Sequence, residues 1–306
     1  MAFAESTSKR RKRAPLFPWL KGIASTIGSI LVTMLGLLFI TFFIGRVMPI
    51  DPVLAIVGER ASQSTYDAVY QQLGLDKPLI VQFGYYIWDV LHGDFGTSLL
   101  NARPVSEDIA RVFPATMELA TLGVFIGIFL GVPLGVIAAV KRGSWIDQIA
   151  RVVALVGYSM PIFWLGLMGL LLFYGMLGWV GGPGRLDIFY QDIVPSVTGM
   201  ILIDSALARD WDVFRNAFSH IVLPASLLGY YSLAYISRMT RSFMLEQLSS
   251  EYVITARVKG MSERQVIWGH AFKNIRVQLI TVIALSYANL LEGSVLTEII
   301  FSWPGI

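Results

Sequence analysis

Apolar residues fall into five long runs along the chain: Ala24–Ile44, Thr116–Val140, Val152–Val180, Ile221–Ile236 and Val277–Ile300. A helix of about 17 to 25 apolar residues matches the hydrocarbon thickness of a bilayer, so each run predicts a transmembrane helix. The fourth is the shortest and turns polar at its end. Between the first two runs the pattern becomes amphipathic, predicting a helix over Ser64–Leu73 ended by Gly74. An aromatic helix over Pro78–Val90 follows, ended near Gly93. Gly181-Gly182-Pro183-Gly184 is a turn cluster, and Asp187–Asp212 predicts a short helix lying over the outer face.

Basic residues alternate with these runs. Lys9, Arg10, Arg11, Lys12, Arg13 and Lys21 precede the first; Lys141, Arg142 and Arg151 follow the second; seven Lys and Arg from Arg238 to Arg276 follow the fourth. The two other loops, Arg46–Ala115 and Gly181–His220, are richer in Asp than in Lys or Arg. With alternating spans all the basic loops share one side, which predicts a cytoplasmic N-terminus. The organisation is a basic tail (1–23), a first span (24–46), a structured external loop (47–114) and a helical core (115–306) with an internal loop over 238–276. The fold class is an all-α polytopic membrane protein, as a 55% hydrophobic and 15% charged composition requires.

Composition also narrows the chemistry. The 306 residues include no cysteine, which excludes disulfides and thiol catalysis, and His92, His220 and His270 have no metal-ligand spacing. There is no GxxxxGK[ST] phosphate loop and no GxSxG elbow, and Asp94-Phe95-Gly96 stands without any other kinase element. No catalytic residues are assigned, and no metal.

Ser249–Arg276 carries the most informative pattern. Glu251–Lys259 reads as a short helix with Tyr252, Val253 and Ala256 toward one side and Arg257 and Lys259 on polar ground. Lys259-Gly260-Met261 breaks it, since Gly suits the left-handed position after a helix end. Ser262 with Gln265 forms a capping-box pattern that opens a second helix. The segment reads as a docking surface for a soluble partner or as an amphipathic stretch on the inner leaflet. The break at Gly260 and the lack of a broad Trp/Phe/Leu stripe favour docking.

In the second run Gly123, Gly127, Gly131 and Gly135 recur every four residues, which predicts a helix-packing face, either a static seam or a sliding contact. Pro133 predicts a kink. Three glutamates lie in apolar runs. Glu118 sits just inside the second and Glu298 at the outer interface of the fifth. Glu292 lies deeper and is either a carboxylate on the translocation path or a polar interhelical contact. Arg238 and Arg241 read as positive-inside anchors.

Several strings now combine in order and spacing: Asp51-Pro52, Gly58-Glu59-Arg60, Leu73-Gly74-Leu75-Asp76-Lys77-Pro78, Gly93-Asp94-Phe95-Gly96, Lys141-Arg142-Gly143-Ser144, Ser159-Met160-Pro161-Ile162-Phe163-Trp164, Arg238-Met239-Thr240-Arg241-Ser242 and Phe301-Ser302-Trp303-Pro304-Gly305. Together with Tyr252–Gly260, which resembles an EAA-type loop, they resemble the dipeptide/oligopeptide family of ABC importer permeases, nearest its B-type subunits. The resemblance covers nearly everything from Gly45 to the last residue. It implies a type I ABC importer transmembrane fold of six helices, of which five lie in this chain and a sixth is expected but absent.

It also implies a bacterial inner-membrane location, a second homologous permease subunit, two cytoplasmic ABC ATPases that bind ATP and Mg²⁺, and a periplasmic solute-binding protein. Membrane lipid surrounds the chain, and no nucleic acid or cofactor of its own is implied. Glu251, Tyr252, Ala256, Arg257, Lys259, Gly260 and Met261 would form the ATPase-coupling loop. Ile254 and Thr255 depart from the strict EAA pattern, Val277-Gln278 stands where many relatives begin the span with Pro, and Glu292 occupies a position expected to be small. A stand-alone secondary transporter or channel is the alternative, although no internal repeat supports it.

Overall fold

A computed structural model of the chain describes residues 18–47, 51–58, 60–98 and 103–305. The basic cluster from Lys9 to Arg13, and Glu59 of the Gly58-Glu59-Arg60 string, lie outside the described residues. Among those described, every regular element is helical, with a single isolated bridge between Thr97 and Pro104. The chain divides into two compact units, residues 1–107 and 108–306.

Among its described residues the first unit holds four helices. α1 (Pro18–Val47) carries the first apolar run, and most of its side chains face outward. α2 (Pro52–Val57) starts where the Asp51 carboxylate accepts from the Val53 amide at 2.8 Å, with Pro52 filling the first-turn position that needs no N–H. The Tyr66 hydroxyl donates to the same carboxylate at 2.7 Å and ties α3 (Gln63–Gln72) to α2. α3 ends as Gly74, at φ +65°, donates to the Gln71 carbonyl while Leu75 donates to that of Tyr70. α4 (Leu79–Leu91) ends in the same way at Gly93, whose φ is +83°. Both helices lie within a residue or two of their expected boundaries.

The second unit is a bundle built around two long helices, α5 (Val105–Val140) and α9 (Trp211–Leu248). α6 (Trp145–Ser159), α7 (Ile162–Met176), α8 (Ile201–Ala208) and α11 (Gln265–Gly293) also pack on α9. Between α9 and α11 lies the short α10 (Glu251–Val258), and after α11 comes α12 (Val295–Ile300).

Contacts between α5 and α9 advance in the same direction along both chains. Gly123 faces Leu228 and Gly229, Gly127 faces Ser232, Gly131 faces Leu233, and Gly135 faces Ser237 and Thr240. The two helices are therefore parallel, which requires the chain between them to cross back once. A methyl group on Gly135 would lie 2.6 Å from the Ser237 carbonyl oxygen and 2.7 Å from Thr240 Cβ. Backbone touches backbone here because nothing larger than hydrogen fits, the arrangement that lets helices associate in lipid. Near its middle, α5 widens into a π-helical turn over Gly127–Gly131.

Three expected spans need correction. Val152–Val180 is not one helix: α6 and α7 meet at a 97° bend around Met160 and Pro161. Pro161 has no N–H to give and holds Met160 in extended backbone, which stops α6. The fourth span is much longer than Ile221–Ile236, because amphipathic turns continue α9 to 38 residues, capped at its start by Asp210. The fifth does not run through to Ile300; α11 stops at Gly293 and α12 begins after Ser294. Among the described residues four continuous helices are long and apolar enough to span a bilayer, and the bent pair makes a fifth crossing if it counts as one.

The core also begins earlier than residue 115, since α5 starts at Val105. The expected helix within Asp187–Asp212 is a single 3₁₀ turn at Ile188–Tyr190 followed by α8.

The tight α5–α9 seam predicts that Gly135→Leu costs roughly 1–3 kcal/mol of overpacking. Gly36→Leu on α1, where nothing lies within 4 Å of the added carbon, should stay within about 0.5 kcal/mol of the parent. Thermal unfolding in detergent distinguishes the two; equal melting points would contradict the seam.

Candidate coupling surface

α10 is held to the bundle by its own apolar side. Val253 and Ala256 are buried in a cluster with Val136 and Ala139 of α5, Met244 of α9, and Val266, Ala271 and Ile275 of α11. The opposite side is open: Ile254 is 52% and Val258 82% exposed. These two sit four residues apart, one turn above the other. Tyr252 is half-exposed, and its hydroxyl donates to Gln247 Oε1 at 2.8 Å, so it does not share the buried side with Val253 and Ala256.

The exit from α10 is a tightly specified corner. Gly260, at φ +78°, donates to the Arg257 carbonyl, and Met261 donates to that of Ala256. This is the double hydrogen bond of a glycine helix stop. Ser262 and Gln265 then close a reciprocal box: the Ser262 amide donates to Gln265 Oε1 at 3.1 Å and the Gln265 amide to Ser262 Oγ at 3.4 Å.

The helix so started runs on into α11, so no separate second helix exists. The segment between helices is confined to Ser249–Ser262, narrower than 238–276. Arg257 is engaged within the corner, its Nε and Nη2 donating to the two Glu263 carboxylate oxygens at 2.8 and 3.1 Å. That pairing lowers the Glu263 pKa below the ordinary carboxylate value and raises that of Arg257. Lys259 and Glu251 are exposed.

An ion pair absent from the sequence reading braces the same end. Arg241 Nε and Nη2 donate to the Asp147 carboxylate at 2.6 and 2.9 Å, and Asp147 is buried. Arg241 is therefore a bidentate partner across 94 residues rather than a free anchor. The one local signal was Ser144 with Asp147, the start of a capped helix.

At the opposite end, two of the three glutamates are internal. Glu118 accepts from Arg185 Nη2 at 2.7 Å and from the Leu202 amide at 2.8 Å, which binds the loop before α8 to α5. The Arg185 guanidinium also stacks over Trp303, whose indole N–H donates to the Ala115 carbonyl at 3.0 Å. Glu298 is buried, not interfacial: Thr116 and Ser294 donate to it at 2.6 and 3.1 Å, and it abuts Gly305, where no side chain would fit. Glu292 stays on an exposed face of α11 with Asn289 one turn before it. Beside Asn289 is a cavity of about 260 Å³ under the α6–α7 bend, lined also by Met160, Tyr230, Tyr231 and Gly293. No group of three metal-ligating side chains occurs among the described residues.

Comparison with known proteins adds to this geometry. Residues 131–306 match the family described as binding-protein-dependent transport system inner membrane component, and residues 20–120 match its N-terminal counterpart. The chain is 43% identical over 277 residues to the probable D,D-dipeptide transport system permease protein DdpB of Escherichia coli K12, covering 90% of this chain and 81% of that one. It is 44% identical over 285 residues to the di/tripeptide transport system permease protein DppB of Pseudomonas aeruginosa, covering 93% and 84%. To the dipeptide transport system permease protein DppB of Escherichia coli K12 it is 42% identical over 289 residues, covering 94% and 85%.

The Arg257–Glu263 clip predicts a pH-dependent corner. The Glu263 pKa is lowered in the folded protein, so the clip's contribution is complete above the ordinary carboxylate pKa and is lost as pH falls through the lowered value. Glu263→Gln should speed amide exchange in α10 at neutral pH and have no effect once the pH lies below that of the native carboxyl. Hydrogen exchange corrected for intrinsic rates reads this out; an equal effect at both pH values would mean that charge plays no part.

Proposed function

The chain belongs to the family of binding-protein-dependent transport system inner membrane components, and we propose that its α10 end faces the cytoplasm and receives the motor. It is the membrane-spanning permease subunit of an ABC importer, an all-helical type I permease of the inner membrane. The cargo is a dipeptide or similarly short peptide, as the names of its relatives support. It works with a second homologous permease, two ATPases that bind ATP and Mg²⁺, and an external solute-binding protein. The subunit itself is non-catalytic.

One observation carries the coupling role: α10 is buried on one side against α5, α9 and α11 and exposes Ile254 and Val258 on the other. A partner that grips the exposed side moves a helix already packed onto three spans. ATP-driven closure of the ATPases is thereby passed to the bundle and alternates access to the path. The basic residues of this end, Lys141, Arg142 and Arg238 among them, support its cytoplasmic placement.

Glu292, exposed on α11, and Asn289 one turn before it, which lines the cavity under the bend, would line the path. A carboxylate there suits the ammonium end of a peptide. Gly123, Gly127, Gly131 and Gly135 would serve as the packing surface on which α5 and α9 move together or shear. A stand-alone transporter is not favoured by membership of this family.

Ile254→Asp with Val258→Asp should cut dipeptide uptake and transport-coupled ATP hydrolysis roughly tenfold or more, the loss of an interface anchor of about 1.4 kcal/mol or above. Membrane insertion and thermal stability should be unchanged. Uptake at the parental rate in reconstituted vesicles would refute the docking role. Ala256→Asp is a different experiment, since burial of that side predicts a destabilised bundle.

A further inference from the structure

α4 has an apolar side that is exposed among the described residues of its unit. Phe83 and Tyr86 pack inward on α1, with ring centroids 5.4 Å (Phe39–Phe83), 5.3 Å (Phe42–Phe83) and 5.7 Å (Phe42–Tyr86) apart. Gln82 is buried and donates to the Leu75 and Lys77 carbonyls, which fixes the start of the helix. On the other side Ile80 is 76%, Trp88 63% and Leu91 76% exposed, with Val81 and Tyr85 also outward. At about 100° per residue these five fall within roughly 140° of arc, and no charged residue lies inside it. Asp89 borders the arc on one edge. Lys77, at the helix start, reaches back over the Tyr85 ring, its Nζ 4.5 Å from the centroid.

The height of this surface follows from α1. The apolar span there ends at Arg46, whose guanidinium sits over Phe42 at 5.3 Å. Phe42 and Phe39 lie four and seven residues before that charge, or about 6 and 10 Å along the axis at 1.5 Å per residue. The contact band with α4 is thus at the depth where amphipathic helices rest, about 5–10 Å below the headgroup boundary. α1 turns apolar side chains outward along this same stretch, so the uncovered side of α4 continues a lipid-facing surface. Its Trp, Tyr and Lys are the residues that favour that layer.

We infer that α4 is an interfacial helix that seats Ile80, Trp88 and Leu91 in the lipid headgroup and upper acyl layer beside α1. It anchors the 51–98 segment to the membrane surface instead of leaving it free in solution. The ligand is phospholipid, not a protein subunit.

The chain contains no cysteine, so single cysteines introduce one label each. Ile80→Cys, Trp88→Cys and Leu91→Cys, with Asp67→Cys on exposed α3 as reference, are spin-labelled in the full transporter in phosphatidylethanolamine/phosphatidylglycerol nanodiscs. The three α4 labels should show an oxygen-to-nickel-complex accessibility ratio several-fold above that of Asp67, and should be relaxed by lipids carrying a shallow paramagnetic tag. Nickel accessibility equal to that of the reference would mean that the helix stands in water. Shielding from oxygen, nickel and tagged lipid alike would mean that a protein subunit covers it. Either result overturns the inference.

Discussion

Close approach of α5 and α9 is the constraint on which the bundle depends. In lipid there is no water to drive two apolar helices together, so contact must come from packing and hydrogen bonds. Glycines on α5 allow the α9 backbone within van der Waals distance, and Gly229 on α9 returns the favour to Ile126. Once these helices lie parallel, α6 and α7 must recross the layer between them. α11 then takes a remaining side of α9, with Ser232 and Ser286 in hydrogen-bond contact at 3.0 Å. At the α10 end the same pair contributes Val136, Ala139 and Met244 to the pocket that grips Val253 and Ala256. α10 is thus an extension of the seam, not an appendage on a loose loop.

The two ends of the bundle are secured by different forces. At the α10 end the contacts are mainly apolar and non-directional, supplemented by the Arg241–Asp147 pair. At the other end directional bonds take over: Arg185 to Glu118, the Leu202 amide to Glu118 and His220 Nδ1 to Gly182 pin the segment between α7 and α9, and Trp303 to Ala115 ties the residues after α12 to α5. Apolar contacts tolerate small sliding, whereas a hydrogen-bond set of this kind is either made or broken.

Local rules read well from the residues. Glycine stops at Gly74, Gly93 and Gly260 and the box of Ser262 with Gln265 need only a few neighbouring residues, and all four form where the string indicates. The small-residue face of α5 was visible for the same reason, because its period lies within one helix. What stayed hidden depends on distant partners or on competition between signals. The Asp147–Arg241 contact spans 94 residues and the Thr116–Glu298 contact 182. Apolarity alone ran the third span straight through Met160-Pro161, although the proline was present to stop it. It also truncated α9, whose ends are amphipathic and continue under tertiary packing, where hydropathy falls.

Three glutamates in apolar helices show how far environment separates residues of one type. A carboxylate taken out of water must recover its lost hydration from the protein. Glu118 recovers it from an arginine and the first turns of α8, so its role is spent on closing the loop. Glu298 recovers part of it, from two hydroxyls that both reach Oε1 while Oε2 stays buried without a hydrogen bond, and a glycine is needed beside it because the remaining space is filled. Neither has an open face for an outside ligand. Glu292 has made no such commitment: it lies exposed on α11, one turn beyond Asn289, which itself lines the cavity under the bend. Of the three, it alone lies on an exposed face, where its carboxyl need not recover hydration from the protein.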